Sequence, residues 1–246
     1  ATHIYNFPLD MERIIKICKK NKIFLIEDAA EVLGLEYKKR KCGYYGDISI
    51  FSFYSNKQIT TGEGGMICTN NFLLSKKCRS LINLCFGSKD RFLHSDIGWN
   101  YRMTNIQAAL GISQLRRINQ IVKKKMSIGR QYYQKLKNNK NIYFPAPKNN
   151  FSDNIYWVIA ILIKNTDLNI NAKKLAKTLN GLNIMTRPFF WPMSGQKILK
   201  KFNMRVNDKF PNSDYICKYG LYLPSSLNLK SNDINYICKK INEIIK

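Results

Sequence analysis

The chain has 246 residues, and its 41 lysines and arginines against 16 aspartates and glutamates give it a formal net charge of +25. Hydrophobic residues make up 45% of the sequence and aromatic residues 12%, which excludes a disordered polyelectrolyte. The longest nearly pure apolar run, at 155–163, is too short to cross a bilayer as a helix.

The positive charge raises the question of a nucleic-acid partner. Lysine supplies most of it, and lysine, asparagine and isoleucine, which are all abundant here, share A/T-rich codons. The basic residues are scattered in short runs, whereas a nucleic-acid-binding tail would form a single block. Because no zinc-finger, homeodomain or RNP-type motif accompanies them, we predict no nucleic-acid partner, and direct nucleic-acid binding stays an alternative.

The seven cysteines form no Cys-x-x-Cys pair, and the only histidines are His3 and His94. These residues do not supply the ligand spacing of a zinc site, so we predict no metal. Free thiols are typical of a reducing compartment. Together with the lack of a long apolar segment, they favour a cytoplasmic location and no membrane partner.

Helical and strand patterns alternate along the chain, which indicates an α/β protein. Apolar spacing predicts helices at 10–21, 72–84, 171–181 and 231–246, and one long helix from Thr104 towards Leu136. Short apolar runs predict strands at 23–26, 49–53, 66–69, 155–163 and 182–186.

Three further features complete this outline. The run 23–26 is wholly apolar and bounded by charge, as is typical of a buried parallel strand. Pro145, Pro147 and the polar stretch 149–154 suit a domain boundary. A loop rich in proline and glycine separates the last predicted strand from the last predicted helix.

A carboxylate follows the first predicted strand at Asp28. Ligands of α/β sheets bind beyond the carboxyl ends of the strands. A carboxylate at the end of an apolar run is poorly solvated unless a cation lies against it, which makes Asp28 a candidate functional residue, although this segment alone favours a helix cap. The alternative is that Asp28 caps a helix that begins at Ala29.

A single lysine, Lys57, follows the aromatic strand at 49–53 and precedes Gly62, Gly64 and Gly65. A lysine with apolar or aromatic walls loses proton affinity and becomes a nucleophile for a carbonyl. The glycines let the backbone approach a ligand closely. The alternative is a surface lysine on a β-turn. An acid for a pyridine nitrogen and a lysine for a Schiff base are the two protein groups that a pyridoxal phosphate (PLP) enzyme needs.

Four segments occur in an order that resembles a known family. They are Glu-Asp-Ala-Ala-Glu (27–31), Gly-Asp-Ile-Ser-Ile-Phe-Ser-Phe-Tyr (46–54), Asn-Lys-Gln-Ile-Thr-Thr-Gly-Glu-Gly-Gly (56–65) and Ile-Gly-Trp-Asn-Tyr-Arg-Met-Thr-Asn-Ile-Gln-Ala-Ala (97–109). The series resembles the DegT/DnrJ/EryC1/StrS family of PLP-dependent nucleotide-sugar aminotransferases over nearly the whole chain. The segment 56–65 looks most like members that aminate C4 of a GDP-linked 4-keto-6-deoxy sugar.

The resemblance implies a fold-type-I PLP transferase of the α/β class. Residues 1–126 would be the C-terminal part of a PLP-binding large domain with a mainly parallel sheet. Residues 127–246 would be a small C-terminal α/β domain. Family members normally begin well upstream, so the resemblance also implies that this chain is a fragment, which alone would bind PLP poorly.

The resemblance implies roles for four residues close to the cofactor. Lys57 would be the Schiff-base lysine and proton shuttle, and Asp28 would keep the pyridine nitrogen protonated. Ser52 would bind the cofactor phosphate. Glu31 would lie near the O3′ of the cofactor, where many relatives carry glutamine and where a second carboxylate must be protonated or paired.

The resemblance assigns three further residues to phosphate groups. Asn100 would reach the cofactor phosphate of the neighbouring subunit, and Arg102 is a second candidate for the same contact or for the substrate. Arg187 would bind the phosphates of the nucleotide, with a surface arginine as the alternative.

The implied reaction moves an amino group from glutamate to a keto-sugar nucleotide in two halves, for the synthesis of surface polysaccharide or O-antigen sugars. The implied assembly is a homodimer with the site shared between its subunits. Relatives with histidine in place of Lys57 run dehydrations, so the lysine argues against that branch. The alternative is a truncated, inactive relative that acts as a structural or interaction subunit.

Overall fold

The computed structural model describes residues 1–87, 90, 92–164, 169–202 and 209–246. The chain divides into two compact units, the first formed by 1–123 with 148–157 and the second by 124–147 with 158–246. The segment 148–157 thus belongs to the first unit. The assignment of domains to 1–126 and 127–246 stays a prediction.

The first unit contains a three-stranded sheet, a short hairpin and four helices or parts of helices. Its elements in chain order are α1 (Met11–Lys20), β1 (Ile26–Asp28), β2 (Glu36–Tyr37), β3 (Arg40–Lys41), β4 (Ile48–Ser52), β5 (Gly65–Cys68), α2 (Phe72–Leu81), α3 (Asn105–Leu115) and the start of α4 (Ile118–Leu136). The sheet order is β1-β4-β5, with β1 parallel and β5 antiparallel to β4. Asp10 caps α1 with its side chain, as its position before the apolar spacing predicts.

The core of the first unit lies on one face of this sheet, with members Met11, Leu25, Ala29, Val32, Leu35 and Tyr37. The prediction of a buried strand at 23–26 is wrong, since the strand begins at Ile26 and Phe24 is 82% exposed. Successive side chains of a strand point to opposite faces. Leu25 and Glu27 therefore face the core, whereas Phe24 and Ile26 lie on a face that the described residues leave exposed.

The second unit contains a four-stranded antiparallel sheet. Its further elements are β6 (Ile142–Tyr143), β7 (Ile159–Ile163), α5 (Ala172–Asn180), β8 (Arg187–Pro188), a 3-10 turn (Met193–Gly195), α6 (Lys197–Lys201), α7 (Pro211–Tyr219), β9 (Gly220–Leu223) and α8 (Ser231–Ile244). The sheet order is β6-β7-β9-β8. The α/β class is confirmed, with parallel and antiparallel neighbours among the described strands.

The long helix predicted from Thr104 is two helices, because the chain turns at Arg116 and Arg117 between α3 and α4. Neither proline nor glycine marks this turn, so apolar spacing does not reveal it. Helices α6 and α7 lie where the sequence predicted only a loop. None of the helices in the described part of the chain is long and apolar enough to span a membrane.

Two strand predictions are corrected by left-handed backbone. The strand predicted at 182–186 is wrong, because Asn183 has a φ of 60° and closes a turn after α5. The strand predicted at 155–163 begins only at Ile159, and Tyr156 before it has a φ of 49°. Extended strands do not accommodate such angles.

One buried cation lies in the second unit, on α4. The Nζ of Lys125 donates to the backbone oxygen of Ser225 at 2.9 Å and to its Oγ at 3.1 Å. Burial lowers the pKa of Lys125 to about 8. The lysine thus holds the loop after β9 through hydrogen bonds. No anionic side chain forms an ion pair with it among the described residues.

We expect Lys125→Met to remove a pH dependence of stability. Between about pH 8 and pH 10.4 the unfolded chain holds the Nζ proton and the folded chain does not, so the free energy of unfolding rises with pH by up to about 3 kcal/mol. Urea unfolding across this range measures the rise. The exposed neighbour Lys124→Met is the control and keeps it. An equal rise in Lys125→Met and wild type would contradict the assignment.

Candidate active site

Lys57 lies in the turn after β4, with its side chain 11% exposed, so the alternative of a surface lysine is wrong. Its Nζ lies 4.0 Å from the centre of the Trp157 ring and 3.9 Å from Oε1 of Glu31. Burial lowers the pKa of Lys57, against the opposing attraction of the Glu31 and Asp28 carboxylates. The result is an amine that is easier to deprotonate than a lysine in water.

Among the described residues, Glu31 is the carboxylate within ion-pair distance of this amine. Its Oε2 accepts a hydrogen bond from the backbone N–H of Tyr5 at 3.2 Å. Burial raises the pKa of Glu31 to about 7, and the negative charge of Asp28 acts in the same direction. The Tyr5 N–H and the Lys57 ammonium act against this rise without cancelling it.

Asp28 ends β1, opposite Ile50 in the parallel strand β4. Its Oδ1 accepts from the backbone N–H of Ala30 at 3.1 Å, which closes a turn. The described chain forms turns rather than a helix after Ala29, so the alternative of a helix cap is wrong. Asp28 is half-buried and close enough to influence both Lys57 and Glu31 electrostatically.

Ser52 is the last residue of β4, so it lies at the same end of the sheet as Asp28. Its Oγ accepts from the backbone N–H of Tyr54 at 3.2 Å, and the residue is half-buried. The hydroxyl hydrogen is free to turn towards a further acceptor. The two parallel strands therefore present an acid and a hydroxyl at one edge.

The other three predicted residues are exposed. Asn100 forms an isolated bridge with Asn83, and Arg102 lies just before α3. Arg187 belongs to the second unit, in β8 opposite Tyr222. The structure thus brings Lys57 and Glu31 together with Asp28, and the roles of all seven predicted residues stay predictions.

Two residues around Lys57 were not found by sequence reasoning. Trp157, whose ring faces Nζ, donates from Nε1 to the backbone oxygen of Asn56 at 3.0 Å. Gln58 donates from Nε2 to the backbone oxygen of Glu31 at 2.9 Å. Oε1 of Gln58 is buried and lacks a hydrogen-bond partner within the described residues. Gln58 could have been suggested by its place next to Lys57 in the sequence. Trp157 could not, because no feature of the sequence near it indicates a contact with Lys57.

Two glutamines of α3 hold the glycine-containing loop. Gln114 donates to the backbone oxygen of Thr60 at 2.7 Å and accepts from its N–H at 3.1 Å. Gln107 donates to the backbone oxygen of Glu63 at 2.9 Å. Because Gly64 has a φ of 143°, the loop needs glycine at that position.

A second buried glutamate, Glu27, lies beside Asp28 on β1. Burial alone would raise the pKa of Glu27, but hydrogen bonds from His3 and the N–H groups of Gly43, Tyr45 and Gly46 outweigh it and hold the pKa below its usual range. The N–H of Leu9 donates to Nδ1 of His3, so the proton on Nε2 is the one given to Glu27, at 2.9 Å.

Cys42 lies next to this pair, and the three side chains offer potential metal ligands within 4.8 Å of one another. Glu27 and His3 already bond to protein donors and acceptors. Burial raises the pKa of Cys42 to about 12, which keeps the thiol protonated, whereas metals bind the thiolate. The arrangement is explained by protein contacts, and the absence of a metal stays a prediction.

We expect Glu27→Gln to lower the free energy of unfolding by about 3 kcal/mol at neutral pH, since the amide NH₂ faces backbone donors. The depressed pKa of Glu27 stabilises the fold above about pH 4.3, and this stabilisation is lost as the pH falls through the folded value. The difference from wild type should therefore shrink in acid. Chemical unfolding measures it, with the exposed Glu63→Gln as a neutral control. A loss that is constant with pH would contradict the charged state.

Comparison with known proteins places this geometry in context. The model of the DegT/DnrJ/EryC1/StrS aminotransferase family matches residues 1–242. The chain is 35% identical to the GDP-perosamine synthase of Escherichia coli O157:H7 and 32% identical to that of Vibrio cholerae, over 99% and 98% of its length. It spans 64% of the length of each of these relatives.

Solved structures agree with the sequence comparison. An aminotransferase of Helicobacter pylori involved in the biosynthesis of pseudoaminic acid, PseC, has a TM-score of 0.88 and 25% identity, covering 97% of this chain and 64% of its own. This chain therefore has the fold of a fold-type-I PLP transferase, which confirms the fold that the family resemblance implied. By the match over nearly its whole length, the chain belongs to the DegT/DnrJ/EryC1/StrS aminotransferase family.

Proposed function

We propose that this chain carries the catalytic lysine of a PLP-dependent enzyme that transfers an amino group from glutamate to a 4-keto-6-deoxy sugar nucleotide. The observation that carries the proposal is the largely buried amine of Lys57, which lies against the Trp157 ring and near the Glu31 carboxylate, within the electrostatic influence of Asp28. A lysine in such surroundings is suited to attack a carbonyl and to return a proton.

The family match and the PLP form of a related structure from Streptococcus pneumoniae indicate pyridoxal phosphate as the cofactor. Two side chains of this chain fit that group. Asp28 offers a carboxylate for a pyridine nitrogen, and Ser52 a hydroxyl for a phosphate, at one edge of the sheet. The cofactor, when bound, supplies an electron sink for the carbon that gains or loses the amino group.

The residues then divide the work. Lys57 carries a proton to and from the reacting carbon at its Nζ, while Asp28 holds a proton on the ring nitrogen. Ser52 binds phosphate with its hydroxyl. The ring of Trp157 covers one side of Nζ and excludes water from it.

The sugar substrate is proposed from the named relatives. Two of them are GDP-perosamine synthases at 35% and 32% identity, which supports GDP-4-keto-6-deoxymannose as the acceptor and a role in surface polysaccharide or O-antigen synthesis. Glutamate as the donor follows the family resemblance. Arg187 is exposed and available to the nucleotide phosphates. Amino transfer from labelled glutamate to this keto-sugar, followed by mass spectrometry, tests both substrates.

We expect Lys57→Ala, in the protein at its natural length, to abolish the visible absorption band of the Schiff base between this lysine and the cofactor. Amino transfer should fall by at least about a thousand-fold, since both the nucleophile and the proton carrier are lost. The exposed Lys76→Ala is the matched control and should keep both signals. Survival of the Schiff-base band in Lys57→Ala would reject the assignment. A wild-type protein without absorbance or transfer would support the alternative of an inactive structural subunit.

We further propose a homodimer in which Asn100 completes the site of the partner, with Arg102 as a second candidate. Both side chains are exposed, and so is the apolar residue Ile106 nearby. Mixing Lys57→Ala with Asn100→Ala subunits tests this arrangement. Random pairing gives hybrid dimers with one intact site, so about a quarter of the sites should regain activity. No recovery, with dimers demonstrated by light scattering, would place Asn100 outside the shared site.

A further inference from the structure

The two buried glutamates near the end of β1 have opposite surroundings. Glu27 accepts hydrogen bonds from three backbone N–H groups and His3, which favours its ionised form. Glu31 accepts one backbone N–H, from Tyr5, at Oε2. Its other oxygen, Oε1, faces Nζ of Lys57 at 3.9 Å. Glu31 therefore has little to hold it ionised apart from the lysine.

Among the described residues, one further charged side chain acts on Glu31 and Lys57. Asp28 lies near enough to repel a negative Glu31 and to attract a positive Lys57. The amide of Gln58 donates to the backbone oxygen of Glu31, and the ring of Trp157 covers Nζ. Both side chains of the pair are about nine-tenths buried, with 11% of Lys57 and 10% of Glu31 exposed. A proton that passes between the two side chains therefore does so with little contact with solvent.

We propose that Glu31 stores the proton of Lys57, so that the two side chains act as one proton-sharing pair. The N–H bond at Nζ breaks as an O–H bond forms at Oε1, which leaves a neutral amine and a neutral carboxylic acid with no change in net charge. The transfer requires a side-chain rotation that shortens the 3.9 Å separation of Nζ and Oε1 to a hydrogen bond of about 2.8 Å. This inference rests on the proposed function of Lys57.

Burial makes such a transfer accessible. In water the reference pKa values of lysine and glutamate differ by about six, so the neutral pair is about a million-fold less populated than the ion pair. Burial raises the pKa of Glu31 to about 7 and lowers that of Lys57, which narrows this difference. A neutral amine is the form that attacks a carbonyl, and the stored proton remains beside it for return.

The residue type at position 31 is decisive for this role. Glutamine has the same shape and can accept the Tyr5 N–H with its amide oxygen, but it cannot take up a proton from Lys57. Glu31→Gln therefore separates proton storage from the structural hydrogen bond. Glu63→Gln makes the same chemical change at an exposed site and is the matched control.

The test measures the reactivity of the Lys57 amine against pH in the cofactor-free protein. Trace acetic anhydride competes for Lys57 and for free phenylalanine as an internal standard, and mass spectrometry reads the acetylation of Lys57. Only the neutral amine reacts. Wild type should show two steps, one near pH 7 as Glu31 binds or releases its proton and one higher as the pair loses its last proton.

We expect Glu31→Gln to lose the lower step and show one titration, shifted below the upper step of wild type because an attractive charge is gone. Glu63→Gln should keep both steps. A single step in wild type overturns the proposal without any variant, and so does a lower step that survives in Glu31→Gln. If these results occur while Lys57→Ala still abolishes the Schiff-base band, proton storage fails and the proposed function stands.

Discussion

The buried carboxylate of Glu27 is the contact on which the rest of the first unit depends. A lone ionised carboxylate is expensive to bury, so the folded unit must place four donors around Glu27 where β1 lies in the sheet. These donors come from the N-terminal segment through His3 and from the loop at 43–46. Because neighbouring strand residues face opposite sides, turning Glu27 inwards turns Asp28 outwards. The burial of the Glu27 charge therefore determines the side of the strand on which Asp28 lies.

Burial has opposite consequences for the two glutamates because their donors differ in number. Around Glu27 the backbone supplies a fixed set of dipoles, so the charge is permanent and structural. Around Glu31 a single N–H leaves the carboxylate dependent on Lys57, whose own charge is weakened by the same burial. Burial thus gives a permanently charged glutamate at Glu27 and, at Glu31 with Lys57, a pair that changes protonation readily.

The sequence predicted more of the local elements than of their surroundings. Helices α1, α5 and α8 and strands β4 and β5 follow their apolar patterns closely, because local spacing determines them. The strand ends at Asp28 and Ser52 were predicted less exactly, since the predicted strands were 23–26 and 49–53. Trp157 could not be predicted beside Lys57, because a hundred residues separate them and its apolar run is equally typical of a strand. The left-handed backbone at Tyr156 also carries no pattern that spacing detects.

The clamp of α3 on the loop at 60–65 joins two segments that the sequence presents as separate motifs. Gln114 and Gln107 form hydrogen bonds with backbone atoms of that loop, so these contacts depend on the conformation of its backbone and not on its side chains. Apart from Gly64, whose backbone angle requires glycine, these contacts therefore constrain the length of the loop more than its residue types. A chimera that borrows a loop of a different length should therefore carry the matching helix α3 with it, since the backbone contacts join the two segments.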